Sequence, residues 1–201
     1  MEILNSIHPD VIQEIENVLK RGQILILPTD TVYGLVCDAR NRNAVNKIFA
    51  IKRRDLNKPI GIFVRDIRMA EEFAELDEEK RETLARFWPG KVTFILKKKR
   101  GLADNVGTEE TIGMRMPAYK LIHDLFSRID FPLAQSSANI SNEPTKTRIQ
   151  EIIDEFEDES QKPDLIINAG DLRSAPPSTV MDLTKEKPEI LRQGEVQIRL
   201  N

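Results

Sequence analysis

The apolar positions of this chain change their spacing several times, and each change marks an element. Val11, Ile12, Ile15, Val18 and Leu19 recur at helical intervals behind Pro9 and ahead of Gly22. That pattern predicts an amphipathic helix with a proline near its start and a glycine beyond its end. Residues 23–27 form a short apolar run stopped by Pro28, the mark of a buried strand. Val45, Ile48, Phe49 and Ile51 return to helical spacing, with Asn43 as the expected cap and Lys52-Arg53-Arg54 at the far end.

Downstream, residues 60–64, 91–96, 111–116, 131–135, 165–168 and 179–183 read as strands. Residues 69–73, 83–88, 121–126 and 149–156 read as helical pieces, the last behind an expected Thr147 cap. Strands interleaved with helices predict an α/β fold, a twisted open mixed sheet flanked by helices. At 201 residues the chain has the size of one large domain, and no repeat or low-complexity block divides it. Residues 1–201 are therefore expected to form a single domain, with the acidic stretch 151–159 as a solvated helix face and loop.

Charge narrows the partners. Lysine and arginine number 30 against 33 acidic residues, a formal net charge of -3 that offers no global field for nucleic acid or an anionic membrane. One cysteine, Cys37, excludes an internal disulfide, and with two histidines it leaves no metal-site spacing, so no protein-held metal is expected. The opening Met1-Glu2-Ile3 carries no charged leader, and no apolar run approaches the roughly 20 residues that cross a bilayer. A soluble protein of the reducing cytoplasm is expected.

Candidate chemistry lies in polar clusters after apolar runs. Lys52 and Arg54 stand about twenty residues after Pro28-Thr29-Asp30-Thr31-Val32-Tyr33-Gly34-Leu35, and a guanidinium beside an ammonium suits a polyphosphate. The same basic triplet could simply favour the negative end of a helix dipole. A second cluster, Gln135-Ser136-Ser137-Ala138-Asn139-Ile140-Ser141-Asn142-Glu143-Pro144-Thr145, follows another apolar run and could cradle a ligand. Neither G-x-x-x-x-G-K-[ST] nor G-x-G-x-x-G occurs, so a bound nucleotide would rest on strand-end hydroxyls. Arg115, ahead of Pro117, either faces a cleft with a free guanidinium or lies on the surface. Tyr33 either walls a pocket or packs in the core. Ser178-Thr179 and Arg192 add hydroxyls and a further cation. No G-x-S-x-G elbow accompanies His8 or His123, which disfavours a hydrolase triad. Lys97-Lys98-Lys99-Arg100 could meet RNA phosphates, or form a solvated loop.

These segments, together with Phe87-Trp88-Pro89-Gly90, Arg115-Met116-Pro117, Ser178-Thr179-Val180 and Arg192-Gln193-Gly194, resemble in order and spacing the YrdC-like family of threonylcarbamoyl-AMP synthases. The resemblance spans most of the chain. It implies a concave, positively lined cavity and the synthesis of threonylcarbamoyl-AMP and pyrophosphate from L-threonine, bicarbonate or CO2, and ATP with Mg2+. It implies that Lys52 and Arg54 are catalytic, and that they bind ATP with Lys58, Thr111, Ser137, Asn139, Thr145 and Arg192. Threonine falls to Thr31, Arg115 and Ser178. The product would go to downstream threonylcarbamoyl-transferase proteins that modify tRNA, since the chain is too short for the longer branch's extra domain. Direct contact with tRNA or double-stranded RNA, without synthase activity, is the alternative, as is a YciO-like paralogue, which Thr111-Ile112-Gly113-Met114-Arg115 resembles. A carbamoyl-transfer role like that of hydrogenase-maturation proteins is disfavoured by length and cysteine count. The chain departs from the family pattern at Asp55, Lys91 and Asn142, where proline, proline and glycine are usual, and at Phe63, where histidine is common.

Overall fold

In a computed structural model, which describes residues 1–199, the chain alternates between strands and helices along most of its length. The first half contains β1 (Glu2–Asn5), α1 (Val11–Lys20), β2 (Leu25–Leu27), β3 (Gly34–Asp38), α2 (Arg42–Lys52), β4 (Gly61–Phe63), α3 (Ile67–Phe73), α4 (Glu78–Phe87) and β5 (Val92–Lys97). The second contains β6 (Thr111–Arg115), α5 (Lys120–Phe126), β7 (Leu133–Ser137), α6 (Ile149–Glu157), β8 (Leu165–Asn168), β9 (Thr179–Asp182) and β10 (Glu189–Arg192). All ten strands join one sheet in the order β1-β8-β2-β3-β7-β4-β6-β5-β9-β10. The sheet is mixed: β1 and β2 run parallel to β8, β4 to β6 and β5 to β9, while β3 is antiparallel to both β2 and β7.

Three strands escape the periodicity. β1 and β10 are edge strands with mostly exposed residues and carry no buried apolar run. β3 begins at a glycine inside a polar motif, so its buried Leu35, Val36 and Cys37 read as the tail of a loop. The helix caps also differ from expectation. Asn41, not Asn43, caps α2: its Oδ1 accepts the Ala44 N–H at 3.1 Å, which starts the helix before the apolar stripe begins. Thr147 does not cap α6; the Ile149 N–H is taken by Asp171 Oδ1 at 3.0 Å, from a segment distant in sequence.

Alternation along the central strands separates two faces. Leu35, Ile62, Met114 and Ala134 are fully buried on the apolar face, in register across β3, β7, β4 and β6. Each such aliphatic side chain contributes roughly 1.5–3 kcal/mol of burial when large. The opposite parity carries Gly34, Gly61, Phe63, Gln135 and Ser137, with Gly34 opposite Ser137 and Gly61 opposite Gln135. A Cβ on Gly61 would sit 2.6 Å from the Gly113 carbonyl, so this stretch of the sheet requires the bare backbone.

Candidate active-site cleft

A cleft of about 470 Å³ lies on that second face, floored by Gly34, Gly61, Phe63, Gln135 and Ser137. The cleft lies over the sheet face where several strands begin or end: Gly34 opens β3, Ser137 closes β7 and Arg115 closes β6. Its walls come from the Thr29–Tyr33 turn, Arg54 and Pro59, Thr145 and Thr147, the 174–178 segment and Arg192. Among the described residues, the lining holds three arginines and many hydroxyls but no carboxylate.

One wall is self-contained. Thr29 Oγ1 accepts the N–H groups of Thr31 (3.0 Å) and Val32 (3.2 Å) and donates to Val32 O (2.7 Å), closing a tight turn. The turn aims Asp30 at Arg115: Nη2 meets Asp30 Oδ1 at 2.6 Å, with both side chains under a tenth exposed. Arg115 also donates from Nη1 to Thr31 Oγ1 (3.0 Å) and from Nε to Gly90 O (2.9 Å), while Asp30 Oδ2 accepts the Ala118 N–H (3.1 Å). Burial pulls the arginine's proton affinity down and the Asp30 charge opposes it. Arg115 is thus not the free guanidinium that strand-end reasoning suggested. Tyr33 both lines the cleft and is fully buried, donating to Gly170 O (2.7 Å) and accepting the Ala169 N–H (3.0 Å).

Arg54 and Arg192 stand differently. Among the described residues, the Arg54 guanidinium donates only to the carbonyls of Lys58 (2.6 Å) and Pro59 (3.2 Å), and that of Arg192 to Ser178 O (2.8 and 3.1 Å) and Ser178 Oγ (3.2 Å). Burial lowers the proton affinity of both. Among the described residues, neither has a carboxylate within ion-pair distance, whereas Arg115 does. Ser178 Oγ also meets Thr93 Oγ1 at 2.9 Å, which fixes that hydroxyl at the cleft.

Lys52 lies behind the cleft rather than in it. Its side chain is almost fully buried, and Nζ donates to Ser137 O and Asn139 O (both 2.5 Å) and to Asn139 Oδ1 (3.3 Å). Burial, helped by Arg54, pushes its pKa down to about 8, against the pull of Glu155. Lys52 and Arg54 diverge because Arg53 takes a left-handed conformation (φ 49) at the end of α2, with the Arg53 and Arg54 N–H groups bonded to Ala50 O and Phe49 O. These are the paired bonds of a Schellman turn.

Of the sequence-predicted residues, Thr31, Arg54, Arg115, Ser137, Thr145, Ser178 and Arg192 line the cleft. Lys52 and Asn139 stand behind Ser137, whose Oγ donates to Asn139 Oδ1 at 2.5 Å. Lys58 is exposed and supplies only a carbonyl to Arg54. Thr111 falls at the opposite end of β6 from Arg115, in a turn with Thr108 (N to Oγ1, 2.8 Å), away from the lining. In the basic run, Lys98 donates to Val106 O (2.6 Å) and Thr108 O (3.2 Å) and Lys99 to Glu71 O (2.8 Å), so both hold loops together. Asn142, where glycine is usual, occupies the left-handed region at φ 73, which asparagine tolerates. Residues 151–159 are not merely solvated: the Glu155 side chain is buried and Glu159 pairs with Arg53. Asp30 and Glu155 were the residues whose roles sequence reasoning missed, and only the pairing register reveals their partners.

Residues 17–194 match the family model Sua5/YciO/YrdC, described as telomere recombination. The Pyrococcus abyssi threonylcarbamoyl-AMP synthase is 36% identical over 178 residues, which cover 88% of this chain and 52% of that one. The chain thus spans about half the length of that relative. A crystal structure of P. abyssi Sua5 complexed with L-threonine superposes with a TM-score of 0.88 at 34% identity, over 96% of this chain and 58% of that one. Escherichia coli YciO gives a TM-score of 0.84 at 27% identity, over 96% and 93% of the two chains. Among the described residues, no helix is long and apolar enough to cross a membrane.

Proposed function

The chain belongs to the Sua5/YciO/YrdC family, and from that premise we propose that its cleft makes threonylcarbamoyl-AMP and pyrophosphate from L-threonine, bicarbonate or CO2, and ATP. The observation that carries this reading is the pair Arg54 and Arg192, two partly desolvated guanidiniums in a cleft whose lining, among the described residues, holds no carboxylate. Removing a cation from water without an anionic partner costs free energy, which a bound polyphosphate offsets.

The chemistry asks for alignment and charge more than for a nucleophilic side chain. Threonine's amine nitrogen bonds to the carbon of CO2 and loses a proton, giving a carbamate. A carbamate oxygen then attacks the α-phosphorus of ATP as the bond to the bridging oxygen breaks and pyrophosphate leaves. In such transfers, positioning and stabilisation of developing charge dominate. Arg115 spends three of its donors on Asp30, Thr31 and Gly90, and a guanidinium has five, so about two remain for the α-carboxylate. Thr31 and Ser178, held by Arg115 and Thr93, suit threonine's hydroxyl. Arg54, Arg192, Ser137 and Thr145 suit the phosphates.

Lys52 takes a different part from the one the motif suggested. Its Nζ holds the carbonyls of Ser137 and Asn139, so it sets the shape of the phosphate wall and adds charge from behind. Among the described residues, no cluster of three or more His, Cys, Asp or Glu could hold a metal ion. In the proposed reaction magnesium enters with ATP as part of the substrate, held by phosphate and water. On this reading the protein is a nucleotidyltransferase of the cytoplasm whose product passes to proteins that modify tRNA.

The test is a complete reaction with MgATP, bicarbonate and labelled threonine. The expected result is threonine-dependent pyrophosphate and an adenylate of the corresponding mass; their absence from active, folded protein would overturn the proposal.

A further inference from the structure

The segment 137–147 supplies Ser137, Thr145 and Thr147 to the cleft, and it is gripped from behind by one side chain of α6. Glu155, only 6% exposed, accepts the Ile140 N–H on Oε1 at 2.8 Å. Its Oε2 lies 2.8 Å from Lys146 Nζ. Lys146 sits between the lining residues Thr145 and Thr147, so Glu155 meets the segment at two points six residues apart, by a hydrogen bond from Oε1 and by charge alone from Oε2, which has no hydrogen-bond partner among the described residues. The same segment is threaded by Lys52, which donates to Ser137 O and Asn139 O and whose own carbonyl accepts the Ser141 N–H at 2.8 Å.

We propose that Glu155 is a positioning residue for the cleft, clamping segment 137–147 through Ile140 and Lys146 and serving as the buried counter-charge to Lys52. This rests on the cleft being the substrate site. The carboxylate matters, rather than any acceptor, because Lys146 Nζ pairs with it at 2.8 Å and its charge favours the cationic form of Lys52. The charged groups acting on Lys52 are Arg54, from the end of its own helix, and Glu155, from α6; Lys146 acts through its pairing with Glu155. Arg54 disfavours the cationic lysine and Glu155 favours it.

Glu155→Gln keeps the shape and an acceptor for Ile140 but removes the charge. Lys146→Met removes the competing cation from a partly exposed position and leaves the carboxylate in place. The two variants therefore move Lys52 in opposite directions, which loosened packing alone would not do. Side-chain NMR of isotope-labelled lysine, with Lys52 identified by its loss in Lys52→Arg, reads its titration in the empty protein. From about 8 in the wild type, the midpoint is expected to fall in Glu155→Gln and to rise in Lys146→Met, each by at least about half a pH unit. Glu155→Ala should also speed hydrogen exchange at the Ile140 amide about tenfold or more. MgATP affinity of Glu155→Gln should drop about twofold or more at pH 8 and recover near pH 6.5, where Lys52 is again protonated.

An unmoved Lys52 midpoint, or shifts of the same sign in both variants, would overturn the proposal. Loss of MgATP affinity equal at both pH values would do so too. If the wild type binds no MgATP, the functional reading fails, while the titration and exchange measurements still decide the role of Glu155.

Discussion

Two corners of one cleft handle buried positive charge in opposite ways. At the Arg115 corner a carboxylate at 2.6 Å, a hydroxyl and a carbonyl meet the guanidinium before any ligand arrives. At the Arg54 and Arg192 walls the guanidiniums meet, among the described residues, only neutral oxygens. The first arrangement is a fixed frame whose geometry the protein itself enforces. The second stores an unmet electrostatic demand, which is what a site for a polyanion requires. On the function proposed above, the amino acid goes to the frame and the triphosphate to the open cations.

Breaking the frame should have the largest effect on stability. Asp30→Ala leaves Arg115 buried and uncompensated, with an expected loss of about 3–5 kcal/mol in urea unfolding. A loss below about 1 kcal/mol would show that the pair is not the frame described. By contrast, Arg54→Ala and Arg192→Ala should change the stability of the empty protein by no more than about 1.5 kcal/mol, since each gives up hydrogen bonds but no ion pair. Each should slow the overall reaction at least tenfold, about 1.4 kcal/mol of transition-state stabilisation. Wild-type turnover in either variant would remove that arginine from the phosphate wall.

Lys52 sharpens the comparison through pH. Its pKa of about 8 in the empty protein lies below the ordinary 10.5 because burial and Arg54 disfavour the cation. A bound triphosphate favours the cation, so its proton affinity rises and binding near pH 8 takes up a proton. Calorimetry in buffers of different ionisation enthalpy should find uptake of roughly half a proton per ATP at pH 8, fading towards pH 6 where Lys52 is already charged. Proton release at pH 8 would contradict the assignment. The smallest effect concerns the turn that sends Lys52 and Arg54 apart. Arg53 occupies the left-handed region at φ 49, and Arg53→Gly should relieve about 1 kcal/mol of strain. Part of that gain is offset by the exposed pair with Glu159, worth at most about 1 kcal/mol.

Much of this frame was legible in the sequence, for identifiable reasons. Helical spacing from Val11 to Leu19 and the dense apolar runs at β2 and β8 follow from local periodicity, so the α/β class emerged without knowledge of contacts. The clustering of Thr31, Arg54, Arg115, Ser137, Thr145, Ser178 and Arg192 was suggested by ordered motifs rather than spacing. What stayed hidden depends on register. Asp30 was one letter of a motif until the turn at Thr29 aimed it at Arg115. Glu155 looked like one acid among many until β7 and α6 were brought together. Thr111 and Arg115 share a short strand, yet only one end of it reaches the cleft.

Calorimetric titration of MgATP into the wild type and into an Arg54→Ala, Arg192→Ala double variant tests the central claim most directly. The expected result is one site per chain, weakened by salt, and a loss of about a hundredfold or more in the double variant, at roughly 1.4 kcal/mol per tenfold, with its stability lowered by no more than about 3 kcal/mol. Equal affinity in the two proteins would contradict it.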